Sequence, residues 1–147
     1  MNRILFYRTN EPYGEFSNFS AHPIQLKGAL WPTTEHYFQA QKFAGTPREE
    51  EICKVESPMV AARMGRSRQH PLRPDWESVK DKIMLEALRA KFSQHPDLRE
   101  LLLSTGDAEL VEHTANDRYW ADGGDGTGRN RLGQLLMELR AGMRERR

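Results

Sequence analysis

The stretch Trp31-Pro32-Thr33-Thr34-Glu35-His36-Tyr37-Phe38-Gln39-Ala40-Gln41-Lys42-Phe43 constrains the fold more than any other part of this sequence. Pro32 and the two threonines read as a helix entry, with a threonine oxygen capping the first unpaired N–H groups and Glu35 placed where the helix dipole favours negative charge. The helix is predicted to start near Glu35. At about 100° per residue, Glu35, Gln39 and Lys42 line one stripe and His36, Ala40 and Phe43 another, while Tyr37 and Phe38 flank the polar stripe. A surface helix normally sets its polar stripe in water opposite an apolar one. Here aromatics border an acid, an amide and an amine that project together. Two readings follow: a partly exposed helix with a solvated Glu35 and Lys42, or a helix that lines a pocket.

Composition narrows the classes around that helix. The chain has 147 residues, enough for one domain with a real core. Its 22 Lys and Arg nearly balance 21 Asp and Glu, so overall charge draws it neither to nucleic acid nor to acidic lipid, and any anion site has to be local. The one cysteine, Cys53, lies without a partner in a strongly charged helical stretch. That excludes a disulfide framework and a Cys-based zinc site and fits a reducing compartment. The N-terminal apolar run is too short for a signal peptide, and no stretch approaches membrane-spanning length. The expected setting is cytoplasmic, with no membrane, no obligate protein partner, no metal and no cofactor.

Along the chain, Ile4-Leu5-Phe6-Tyr7 reads as a first strand and Asn10 to Glu15 as a turn-rich loop. Ile24-Gln25-Leu26 and Ala29-Leu30-Trp31 bracket Lys27-Gly28 as a hairpin. After the central helix, Gly45 reads as a left-handed cap, and Thr46-Pro47-Arg48-Glu49 as a capping box that opens a helix to about Val55. Ser57-Pro58 opens the next, Gly65 ends it, and an arginine-bearing loop to Pro74 follows, either a solvated run or a phosphate site. Asp75 caps the longest helix, whose apolar face carries Trp76, Val79, Ile83, Ala87 and Ala90. Pro96 starts a further helix that Gly106 stops. Glu109 to Thr114 is open between strand and helix, because six residues do not separate the two periods. The whole predicts a single compact α+β domain over residues 1–147, mostly helical, with a small β element near the N-terminus.

The second informative stretch is Asn116-Asp117-Arg118-Tyr119-Trp120-Ala121-Asp122-Gly123-Gly124-Asp125-Gly126-Thr127-Gly128-Arg129-Asn130. Its glycines allow close backbone approach to a ligand, and the loop runs into a helix starting at Asn130, an arrangement that can hold a phosphate. It matches neither the Walker A pattern nor the dinucleotide fingerprint. Nor does it match the 12-residue calcium loop with its closing Glu. The plain alternative is a flexible connection with a good cap, which has no use for Tyr119, Trp120 and several aspartates beside the glycines.

These segments together resemble the NADAR family, also described as YbiA-like N-glycosidases. The likeness runs from about Phe6 to Arg140. It rests on Gly14-Glu15-Phe16-Ser17-Asn18-Phe19, on Trp31 to Phe43, on Ser57-Pro58-Met59, Arg73-Pro74-Asp75-Trp76 and Ala90-Lys91-Phe92, and on Thr105-Gly106-Asp107 through Asn130-Arg131-Leu132-Gly133. Ala121 stands where the family usually has glycine, so a positive φ there would strain the loop. The resemblance implies a mostly helical fold with a small β element. It also implies hydrolysis of an N-glycosidic bond on a phosphorylated ribose or ADP-ribose. Substrates of the family are riboflavin-pathway ribosylamine phosphates and ADP-ribose on guanine, so the expected partner is a phosphorylated ribosyl or ADP-ribosyl small molecule, or an ADP-ribosylated nucleic acid.

Cleaving C1′–N needs help for a poor nitrogen leaving group, stabilisation of positive charge on the sugar, and an activated water or a covalent partner. Glu35 suits acid or base work, and Asp117 and Asp122 suit stabilisation of an oxocarbenium-like centre. Lys42 lies two turns on from Glu35, ~10 Å along the axis, so both reach one ligand without pairing tightly. As an amine lining an apolar pocket, Lys42 suits either imine formation with a ring-opened ribose, a role the resemblance supports, or phosphate neutralisation, and the sequence leaves both open. Expected binding residues are Asn18, Phe19, His36, Gln39, Trp120, Gly123, Gly124, Gly126 and Asn130. A different class, a non-catalytic nucleotide or ADP-ribose binding module, would use the glycine-rich loop for diphosphate and leave Glu35 and Lys42 idle.

Overall fold

A computed structural model describes residues 2–146. Among the described residues, six α-helices and four short strands form the mostly helical α+β class expected. The chain divides into two compact units, Met1–Ser17 with His95–Arg147, and Asn18–Gln94.

In the discontinuous unit, strand β1 (Arg3–Phe6) pairs in parallel with β4 (Glu109–Glu112), Ile4 opposite Leu110. This settles the six-residue ambiguity in favour of a strand and carries the β structure beyond the N-terminal region. Helices α5 (Pro96–Ser104) and α6 (Arg131–Glu145) belong to this unit, and α6 packs on β4 and on α5. Proline at the start of α5 has no N–H to leave unpaired, and Gly106, at φ 62°, supplies the left-handed turn after it. The core is aliphatic, built on Leu98, Leu102, Leu110, Leu132 and Leu136, with Phe6 meeting Phe16 edge to face at 5.6 Å.

In the continuous unit, β2 (Ile24–Leu26) and β3 (Ala29–Trp31) form the predicted hairpin. Lys27 and Gly28 both take positive φ, 56° and 75°, the two-residue turn whose twist matches an antiparallel pair. Four helices follow: α1 (Thr34–Gln41), α2 (Pro47–Lys54), α3 (Pro58–Arg66) and α4 (Trp76–Gln94). Helix α1 lies at the centre and packs against the other three and against β3.

Capping explains where these helices begin, with two departures from the expected chemistry. Thr33 caps α1 by accepting from His36 N at 3.1 Å, and Ser57 caps α3 by accepting from Met59 N and Val60 N. At α2 the capping box does not close. Thr46 Oγ1 donates back to Phe43 O, and Glu49 reaches Gly45 N at 3.0 Å because its other oxygen is engaged by Lys27 Nζ and Gln41 Nε2, each at 2.8 Å. At α4 the carbonyl of Asp75 receives Ser78 N and Val79 N, while its carboxylate pairs with Arg73 at 2.6 Å instead of capping.

Candidate functional site

Helix α1 is buried along its whole length, so the reading of a solvated Glu35 face is overturned: Glu35 is 7% exposed and Gln39 4%. With neighbours on every side, the helix has no water-facing stripe to make polar, and its acid and amide meet each other instead. Gln39 Nε2 donates to Glu35 Oε2 at 2.7 Å, the i, i+4 geometry that the stripe implies. Lys42, in the turn after the helix, is half-buried. Its Nζ lies 5.9 Å from the ring centre of Phe38 and 5.8 Å from that of Trp76, and donates to Gly65 O at 3.4 Å. Phe38 and Trp76 are themselves buried, ring centres 5.1 Å apart, and form an aromatic wall beside the amine. Burial lowers the Lys42 amine to about 8; Glu35 opposes the shift, and Arg66, Arg68 and Lys80 add to it.

The other expected contributors of this unit hold the helix start. Asn18 is buried, accepts Thr34 Oγ1 at 2.7 Å on its side-chain oxygen and Glu35 N at 3.2 Å on its carbonyl, and approaches Met84 Sδ at 3.4 Å. Phe19 beside it is half-buried. His36 is fully buried, with Nδ1 at 2.8 Å from Thr33 Oγ1 and Nε2 at 2.9 Å from Val55 O. Since Thr33 Oγ1 already accepts from His36 N, its hydroxyl donates to Nδ1 and the ring donates from Nε2. Burial holds this imidazole below its ordinary value, against the raising effect of Val55. Both ring nitrogens therefore tie the helix to its neighbours and offer nothing to a ligand.

Sequence reasoning missed Gly65. A glycine near the end of an apolar stretch reads as a stop, yet α3 continues to Arg66 and Gly65 is buried inside it. A β-carbon there would overlap the Gln39 amide, 2.6 Å from its Cδ. No periodicity reveals this, because the residue that needs the space lies on another helix.

The glycine-rich loop of the other unit is closed on itself. Asp117 Oδ1 accepts Tyr119 N at 2.8 Å and Trp120 N at 2.7 Å. Asp122 is buried; Oδ1 accepts Gly124 N at 2.8 Å and Thr114 N at 3.1 Å, and Oδ2 receives His113 Nδ1 at 2.7 Å. Burial pushes its carboxyl up, but these donors outweigh it and hold the group below the usual carboxylate range. Gly123, Gly124 and Gly126 take positive φ, as expected of a loop that turns tightly. The amides of Gly123, Gly128, Asn130, Arg131 and Leu132 are received by the carbonyls of Asp117, Asp122, Ala121, Tyr119 and Trp120. Asn130 itself sits at φ 51° and pins the loop to β4, accepting Glu112 N at 3.0 Å and donating to Leu110 O at 2.9 Å. The helix start expected to receive phosphate has its first N–H groups engaged by the loop's own carbonyls. Ala121 is buried without a positive φ, so alanine introduces no strain there. Trp120 is half-buried, edge-on to Tyr119 at 4.9 Å, and Arg129 lies 4.9 Å from the Tyr119 ring.

Among the described residues, no group of three or more His, Cys, Asp or Glu side chains is placed to hold a metal, and no helix is long and apolar enough to cross a membrane.

The NADAR domain model matches residues 5–144, a span that includes both regions. The N-glycosidase YbiA of Escherichia coli K12 is 65% identical over 137 residues, covering 93% of this chain and 86% of that protein. The N-glycosidase Npun_R5314 of Nostoc punctiforme is 45% identical over 144 residues, 96% of this chain and 92% of that protein. The riboflavin biosynthesis protein VVA0006 of Vibrio vulnificus is 42% identical over 142 residues, 97% of this chain but 39% of that longer protein. The NMR structure of E. coli YbiA superposes with a TM-score of 0.92 at 61% identity, covering 99% of this chain and 86% of that one. The chain belongs to the NADAR domain family.

Proposed function

We propose that this protein is an N-glycosidase that hydrolyses the C1′–N bond between a phosphorylated ribose, free or within ADP-ribose, and an exocyclic amine. The observation that carries this is the row of buried Glu35 and Gln39 and half-buried Lys42, which ends in an amine whose value is lowered to about 8 beside an aromatic wall. A buried acid beside a partly desolvated amine is costly to keep and is a common mark of a functional site.

The chemistry follows from these groups. A ribosylamine opens to an imine at C1′. The neutral Lys42 amine adds there, the Nζ–C1′ bond forms, and the C1′–N bond to the departing amine breaks. Glu35 carries the two protons of the incoming lysine nitrogen, one after the other, to the leaving nitrogen, which departs as a neutral amine. Water then adds to C1′ of the lysine imine, Nζ–C1′ breaks, and the ribose aldehyde recloses. Phe38 and Trp76 keep the amine dry enough to be neutral near pH 8. The Nostoc relative's name supports N-glycosidase activity and the Vibrio relative's name a link to riboflavin biosynthesis, so the substrate we favour is a ribosylamine phosphate, and ADP-ribosylated guanine offers the same kind of exocyclic amine.

A non-catalytic module gripping diphosphate would need open amides in the glycine-rich loop, and most of them are engaged. The test is incubation with each substrate, with borohydride added during turnover. Release of free base or sugar phosphate, with the sugar trapped on Lys42, is expected. Trapping at another lysine would remove Lys42 as nucleophile, and no release from either substrate would overturn the reading.

A further inference from the structure

Three buried side-chain polar atoms among the described residues have no hydrogen-bond partner, and Gln39 Oε1 is the one that lies in the Glu35–Lys42 row. A buried amide oxygen without a donor is unfavourable, so this end of the side chain is not held there by hydrogen bonding. It is held by packing, in a slot that exists because residue 65 has no side chain. Gly65 lies inside α3 and is not among the glycines with positive φ, so its backbone does not call for glycine. What calls for it is the close approach: an added β-carbon would overlap Oε1 and stand 2.6 Å from Cδ and 2.8 Å from Cβ of Gln39. The carbonyl of the same residue receives Lys42 Nζ at 3.4 Å. One point on α3 thus registers both the amide that grips the acid and the amine.

We propose that Gln39 is a positioning residue, seated against Gly65, whose N–H fixes one oxygen of Glu35 so that the carboxylate is aligned with the Lys42 amine during proton transfer. This rests on the N-glycosidase reading. The 2.7 Å bond from Nε2 restricts the terminal torsion of the Glu35 carboxylate, a torsion that is intrinsically broad and roughly two-fold. Misplacement of a reacting group by about 1 Å is enough to cost ~10²-fold in rate.

Two variants test the proposal. Gln39→Met keeps the volume and removes the N–H. It is expected to lower kcat by about 10- to 100-fold with KM nearly unchanged and the melting temperature preserved. Gly65→Ala is expected to expel the amide and lower both stability and kcat. In the double variant Gly65→Ala/Gln39→Ser the overlap with Oε1 and Cδ is removed and only the 2.8 Å approach to Cβ is left, so stability should return in large part while kcat stays low. A purely structural slot predicts the opposite, with kcat returning alongside stability. Wild-type kcat in Gln39→Met, or recovery of kcat in the double variant, would overturn the positioning role and leave the N-glycosidase reading intact. Absence of base release by the wild-type protein would remove both.

Discussion

The row on α1 and the glycine-rich loop looked equally functional by residue type, and they differ in what remains open. In the loop, Asp117 and Asp122 each grip backbone amides, the amides at the start of α6 are received by loop carbonyls, and Asn130 ties the end to β4. Nearly every polar group has been answered from within. On α1 the account does not close: Gln39 Oε1 has no partner, and the Lys42 amine has one long bond and a lowered proton affinity. Loops rich in Gly and Asp satisfy themselves easily because short side chains reach neighbouring amides. A buried helix cannot, since its backbone is already paired and its side chains must find partners at fixed positions. Unanswered capacity under burial is therefore the better sign of chemistry here than loop composition.

The sharpest way to break this contrast is to remove the reacting groups. Glu35→Gln and Lys42→Met are each expected to lower kcat by ~10² or more, measured as base release, because proton transfer and covalent assistance each supply that much. Wild-type turnover in either would return the row to packing. A second effect, about tenfold per pH unit, should appear in the rate profile. With Lys42 lowered from 10.5 to about 8, the folded protein disfavours the ammonium, so the reactive neutral amine is gained, and its stability penalty fades, as pH rises through about 8. kcat/KM should climb to about 8 and then level, and a profile flat from 6 to 9 would contradict the assignment. The smallest effect is expected in the loop. Asp122→Asn loses the charged acceptor of three donors and should lower unfolding free energy by about 1–3 kcal/mol while kcat falls only a few-fold. A 10²-fold loss of kcat at unchanged stability would place chemistry in the loop after all.

What the sequence revealed was governed by neighbours along the chain. The Thr33 and Ser57 caps, the positive φ at Lys27-Gly28 and the Glu35–Gln39–Lys42 stripe all follow from residues within two helical turns of each other. What stayed hidden depended on distant partners. Glu109 to Glu112 became a strand because it pairs with Arg3 to Phe6, far away in the chain, and nothing in its own 4 residues signals that. Gly65 looked like a stop because its purpose is room for a side chain on α1. The capping box at Thr46 failed because Lys27 and Gln41 hold the glutamate elsewhere. Buried and solvated versions of α1 have the same sequence pattern, and only the helices packed around it decide between them.

The parallel pairing of β1 with β4 also orders events in time. A ribosome delivers Arg3 to Phe6 first, yet the strand that completes their ladder is not made until Glu109 to Glu112 emerge. Residues 18–94 form a continuous unit and have all their internal partners available while the nascent chain is still growing. Arg3 to Phe6 have to wait, their strand edge unpaired, until Glu109 to Glu112 arrive, and closing so long a loop is the slow kind of contact to form.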